Sequence, residues 1–116
     1  MDIHFIMTES FDKSWDHLNL SDEDLRKLEN SIAENPNIGD VISNTGGVRK
    51  MRFAIETRGK SRSSRIIYIF FTSHATVALL LAYKKNEYSD LSENGKKMLK
   101  ALAKEIENNL DRWGKV

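Results

Sequence analysis

Lysines and arginines, rather than histidines or cysteines, are the residues of this chain whose types and spacing could do chemistry. Lys50 and Arg52 stand two apart in a stretch, Lys50-Met51-Arg52-Phe53, that alternates between charged and apolar side chains. On a strand that spacing puts both on one face, about 7 Å apart at a rise of ~3.3 Å per residue. Arg65 opens the next β-branched and aromatic run, and Lys84 and Lys85 close the one after it. In a meander the ends of adjacent strands lie only ~5 Å apart laterally. Lys50, Arg52, Arg65 and the Lys84-Lys85 pair are therefore expected to converge into a concave basic patch, with Arg49, Arg58, Lys60 and Arg62 beside it as further phosphate contacts. Tyr68 and Tyr83 offer aromatic faces on which a base can stack. Cations gathered on a half-buried sheet repel one another and lose hydration, and an arriving anion relieves both costs.

The formal net charge of +1 conceals a division along the chain. Between Gly46 and Lys85 nine lysines and arginines face Glu56 alone, a net of +8, whereas the remainder carries nine positives and 16 acidic residues, a net of −7. Segregation of this kind within one domain points to an anionic partner for the middle segment, most often nucleic acid, or to an acidic protein. Lys96, Lys97, Lys100 and Lys104, spaced along a helix, read instead as ordinary solvating charges. His4, His17 and His74 fall in unrelated places without a His-x-x-x-His or carboxylate cluster, so no metal site is expected. The absence of cysteine excludes a disulfide scaffold, a thiolate zinc site and a cysteine nucleophile. Gly46-Gly47 leads into a strand and lacks phosphate-loop spacing, so no nucleotide cofactor is expected either.

The elements that must position the patch follow from periodicity. At 116 residues the chain makes a single domain, 1–116, without linker or internal repeat. Its start lacks signal-peptide character, and its longest apolar runs, 66–71 and 77–83, fall short of the ~20 residues needed to span a bilayer. A soluble cytoplasmic protein with no membrane contact is expected. Ile3–Met7 reads as a short strand, and Thr8 or Ser10 as the cap of a brief helix carrying Phe11, Trp15 and Leu18. Ser21 caps a second helix, with Asp24 three residues on and Leu25, Leu28 and Ile32 along one side, and Asn35-Pro36 ends it. A turn-rich stretch, 37–47, precedes the alternating strand, in which Met51 and Phe53 take the packed face. Arg58–Ser64 reads as a mobile basic loop, Arg65–Phe71 as a central strand and Thr76–Tyr83 as the next. The last segment, Ser92–Trp113, repeats Met98, Leu99, Leu102, Ala103, Ile106, Leu110 and Trp113 at helical spacing. The predicted fold is α+β, a small antiparallel β-sheet with two N-terminal helices and a C-terminal helix packed on it.

Several motifs in order carry a resemblance: Asn35-Pro36-x-x-Gly39-Asp40-x-Ile42-x-x-Thr45-Gly46-Gly47-x-Arg49-Lys50-x-Arg52, then Gly59-Lys60, Ser64-Arg65-Ile66-Ile67-Tyr68, and Tyr83-Lys84-Lys85-Asn86-Glu87-x-x-Asp90-Leu91. Together they resemble the HigB-like branch of the RelE/ParE toxin superfamily, over roughly residues 20–110. The resemblance implies a RelE-like sheet and the toxin of a type II toxin–antitoxin pair. It also implies a ribosome-dependent endoribonuclease that cuts mRNA in the A site. The implied partners are the ribosome, its mRNA and a cognate antitoxin of helix-turn-helix type, through which alone operator DNA is contacted. The family's two strand lysines fall on Lys50 and Arg52, its next-strand arginine on Arg65 and its late arginine on Lys85. Its C-terminal tyrosine has no counterpart, since Leu91 lies near that point and Tyr88 is the nearest tyrosine, and the histidines of some HigB enzymes are missing near these motifs.

Such a site must bring the ribose 2′-hydroxyl onto the adjacent phosphorus, stabilise the phosphorane charge and protonate the leaving 5′-oxygen, with no metal required. Arginine does not deprotonate usefully, so Arg52 and Arg65 read as clamps on the non-bridging oxygens. Lys50 is the better candidate for the base, because neighbouring positive charge and desolvation both lower a lysine pKa. Lys85 is placed to protonate the leaving oxygen. The alternative is a ParE-like gyrase poison, which has this fold without nuclease activity and without a need for convergent cations.

Overall fold

The computed structural model describes the backbone of residues 2–57, 60–85 and 91–113, and the side chains of these except at 55–57, 60–62 and 113. Five strands form one sheet in the order β1-β5-β4-β3-β2: β1 His4–Met7, β2 Asp40–Val41, β3 Arg49–Thr57, β4 Lys60–Phe71 and β5 Thr76–Lys84. The helices are α1 Glu9–His17, α2 Asp22–Glu34 and α3 Glu93–Trp113. The expected meander is β3-β4-β5, antiparallel throughout. β1 joins its edge in parallel with β5, which makes the sheet mixed.

Local chemistry explains the helix boundaries. The Thr8 side chain accepts the Phe11 N–H at 3.1 Å and caps α1. Ser21 and Asp24 form a reciprocal capping box at the start of α2, each side chain bonding the other's backbone N–H at 3.0–3.1 Å. Ser92 accepts the Gly95 N–H at 3.0 Å ahead of α3.

Strand alternation sorts the core onto two faces. On one, Phe11, Trp15 and Leu18 from α1 with Leu28 and Ile32 from α2 cover Met51, Phe53, Ile66, Tyr68, Val77 and Leu79. On the other, Leu99, Leu102, Ala103, Ile106 and Leu110 of α3 cover Val48, Ile67, Ile69, Phe71, Ala78 and Leu80. β4 is thus buried on both sides, as its β-branched and aromatic run requires.

Three details differ from expectation. The Arg58–Ser64 loop is largely strand: pairing runs from Arg52↔Arg65 out to Thr57↔Lys60, because polar side chains do not prevent backbone groups from saturating one another across a ladder. Arg58 lies outside the described residues, as do the side chains of Lys60 and Arg62. Met98 leaves the packed stripe of α3 and is 73% exposed. The turn-rich stretch contains β2, two residues paired with β3 through Asp40↔Lys50 and Val41↔Arg49.

β5 also carries an irregularity that anchors the N-terminus. The register shifts between Ile67↔Leu81 and Tyr68↔Leu79, leaving Leu80 unpaired in the ladder. Its carbonyl accepts the Ser10 and Thr8 hydroxyls at 2.9 and 3.2 Å, so the cap of α1 satisfies the group that the bulge frees.

Candidate nucleic-acid interface

α3 covers only part of its face of the sheet, and the patch lies on the remainder. Residues directly opposite one another on paired strands point the same way. The pairs Arg52↔Arg65 and Arg65↔Tyr83 therefore share a face, and Lys50, two residues from Arg52, shares it too. Arg52 is exposed, whereas Lys50 and Arg65 are half-buried. Lys85 donates its backbone N–H to the Ser63 carbonyl at 3.4 Å, which sets it beside Ser63, one row beyond Arg65. Lys50, Arg52, Arg65 and Lys85 are thus brought to one side of the sheet. Two arginines facing each other across a ladder are mutually destabilising. The Arg65 guanidinium is steadied at 3.0 Å by the Ser63 hydroxyl rather than by a carboxylate.

Other sequence-selected residues go elsewhere. Lys84 pairs with Ser64, whose buried hydroxyl donates to the Phe53 carbonyl, so Lys84 belongs to the opposite face and is exposed there. Arg49 is also on that opposite face, and its Nη1 donates to the Gly39 and Asn37 carbonyls at 2.6 and 3.2 Å. Tyr68 is fully buried and Tyr83 is 5% exposed, so neither presents a ring to a base. The reading of these four as contacts of the patch is corrected accordingly: alternation sends Lys84, Arg49 and Tyr68 to the wrong side, and α3 covers Tyr83.

Arg49 and Tyr68 have a structural task instead. The Tyr68 hydroxyl donates to the Pro36 carbonyl and accepts the Gly39 N–H, both at 2.9 Å. A Cβ on Gly39 would stand 3.0 Å from the Lys50 carbonyl oxygen and 3.0 Å from the Tyr68 ring, so only glycine brings the loop this close. The clamp holds residues 36–39 against β3 and β4 and so fixes β2. Burial pushes the Tyr68 hydroxyl above the ordinary tyrosine value of 10.0, against smaller opposing effects of the Gly39 bond and the Arg49 charge. A raised value means that the folded state prefers the neutral phenol. Its contribution to stability is complete below about pH 10 and is lost as pH rises through the higher folded value. Tyr68→Phe is expected to cost about 1–3 kcal/mol at neutral pH by orphaning the Gly39 N–H and Pro36 carbonyl. It should also lessen the loss of stability at strongly alkaline pH. Denaturant unfolding of both proteins across that range checks the two effects together.

A groove of about 480 Å³ adjoins the patch, lined by Asp40, Val41, Ile42, Lys50, Leu91 and Lys96. Asp40 had no role in the sequence reading, because a two-residue strand has no periodicity to announce which residue it faces. Among the described residues, no three His, Cys, Asp or Glu side chains form a group able to hold a metal ion. Among them also, no helix is long and apolar enough to cross a membrane.

Fold and site together define a small α+β protein with a half-open sheet that presents converging cations. The chain belongs to the RelE toxin family: the model for the RelE toxin of the RelE/RelB toxin–antitoxin system matches residues 4–112. Two solved structures share its fold. A variant of the E. coli toxin RelE in the free state superposes with a TM-score of 0.53 at 19% identity, covering 74% of this chain and 86% of that one. The isolated E. coli RelE toxin gives 0.50 at 19% identity, covering 87% and 99%.

Proposed function

We propose that this toxin is a metal-independent endoribonuclease that blocks translation by cutting mRNA in the ribosomal A site. The observation that supports this best is the convergence of Lys50, Arg52 and Arg65 on the uncovered part of one sheet face. Arg52 and Arg65 clamp the non-bridging oxygens of the scissile phosphate, where a planar guanidinium meets a phosphate with two parallel bonds. Lys50 and Lys85 add charge at either side, and Lys85 supplies the proton for the leaving 5′-oxygen. With Tyr68 and Tyr83 buried, recognition by the described part of the patch runs through the backbone and not through base stacking.

The proposed partners are the ribosome with its mRNA and a cognate antitoxin of helix-turn-helix type that carries the pair to operator DNA, within the cytoplasm. The +8 middle segment supports an anionic target for the toxin itself.

Addition of the purified protein to a reconstituted translation system tests the reading. Peptide synthesis is expected to stop with the message shortened at codon-phased positions and DNA gyrase supercoiling unaffected. Intact message with gyrase-dependent DNA breaks would replace the nuclease by a ParE-like gyrase poison.

A further inference from the structure

Resting on the endoribonuclease reading, we infer that Asp40 is the general base of the cleavage reaction. The cationic patch binds and stabilises phosphate charge, but lysine and arginine side chains ordinarily hold their protons at neutral pH, and an ammonium must lose its proton before it can accept another. A carboxylate is ionised there and can accept the 2′-hydroxyl proton directly.

The fold brings one to the place required. Asp40 is in register with Lys50 across β2 and β3, so their side chains leave the sheet on the same side. Both line the groove of about 480 Å³, and Lys50 stands on the same face of β3 as Arg52, two residues on, which pairs with Arg65. The charged groups that share this groove with Asp40 are Lys50 from β3 and Lys96 from α3; Leu91, just before α3, is apolar. Lys96 already has a carboxylate 3.5 Å away, that of Glu93. Asp40 is exposed and forms no ion pair within 4 Å among the described residues, leaving its oxygens open to a substrate. The Tyr68–Gly39–Arg49 clamp holds the backbone immediately before it. The base therefore stands on a fixed edge strand, one strand over from Lys50 and two from Arg65.

The step balances within these groups. An Asp40 carboxylate oxygen takes the 2′-hydroxyl proton while the 2′-oxygen forms its bond to phosphorus. The bond from phosphorus to the 5′-oxygen breaks, its electron pair stays with that oxygen, and a patch ammonium, that of Lys85, protonates it. The products are a 2′,3′-cyclic phosphate and a 5′-hydroxyl end. Asp40 then releases its proton to water and the lysine regains one, which restores the starting state.

Single-turnover cutting by Asp40→Asn and Asp40→Glu on programmed ribosomes tests the inference. Asp40→Asn keeps shape and removes the base; its cutting rate is expected to fall about 100-fold or more, with ribosome affinity within about threefold of wild type. Its thermal midpoint should stay unchanged, and Asp40→Glu should recover part of the rate. The wild-type rate should decline as pH is lowered, a dependence that Asp40→Asn should lack. Wild-type cutting by Asp40→Asn, alongside loss of cutting by Arg65→Ala, would overturn the role of Asp40 and leave the nuclease reading standing. An Asp40→Asn defect matched by an equal loss of ribosome affinity or of stability would also overturn it. Failure of the wild-type protein to cut would remove the nuclease reading, and the inference with it.

Discussion

Arg65→Ala is expected to lower the rate of mRNA cutting by about 10²–10³-fold, the usual effect of removing one preorganised donor from a site where charge develops. Arg65 is half-buried in the central strand, paired with Arg52 on one side and Tyr83 on the other, so its direction is set by the sheet and not by a loop. The loss should appear in the cutting rate at saturating ribosomes more than in ribosome affinity, since many other cations contribute to binding. Stability should change little, because removing one of two facing arginines relieves their repulsion while forfeiting some packing of the side-chain stem. Lys50→Ala and Arg52→Ala should behave similarly, whereas Lys100→Ala, at an exposed position of α3 outside the patch, should cut as wild type. Growth arrest on induced expression, read at matched protein levels with melting curves alongside, checks the set. Full toxicity in all three patch variants would remove the site assignment.

The parts of this molecule that were legible in its sequence are those with a strong period or a cap. Ser21 marks the second helix because its side-chain oxygen stands opposite an otherwise unpaired N–H, and of the two caps open for the first helix, Thr8 and Ser10, Thr8 is the one that accepts such a bond. Met51 and Phe53 against Lys50 and Arg52 separate the two faces of β3, and the β-branched run of β4 announces burial on both sides. What failed did so for identifiable reasons. Lys60 to Ser64 read as loop because their side chains are polar and carry no strand period, although their backbone pairs with β3. Tyr68 and Tyr83 read as stacking platforms because an aromatic ring looks the same in sequence whether it faces a ligand or a helix. Lys84 and Arg49 are each adjacent in sequence to a patch residue, and adjacency on a strand means opposite faces. Asp40 was invisible in role because its significance comes from pairing with Lys50 ten residues away, across a turn whose geometry depends on Gly39 and the buried Tyr68 hydroxyl.

The largest effect expected is the dependence of cutting on the ribosome. Among the described residues, the patch contains no histidine and offers Lys and Arg as its convergent groups, which are weak acids at neutral pH. A free RNA strand must also pay the full entropy of being held in line for attack. Positioning of a splayed backbone in the decoding site can supply about 7–11 kcal/mol of the barrier, so free RNA should be cut many orders of magnitude more slowly. The grip on phosphates should weaken steeply with added salt, with log K falling nearly linearly against log salt.

The most direct measurement compares the purified toxin on naked mRNA with the same mRNA on ribosomes stalled at a defined codon, with the new 5′ ends mapped by primer extension. Cuts are expected only within the A-site codon, with the naked transcript left intact over the same time. Equal cutting of naked RNA, or ribosome-bound cuts scattered beyond that codon, would contradict it.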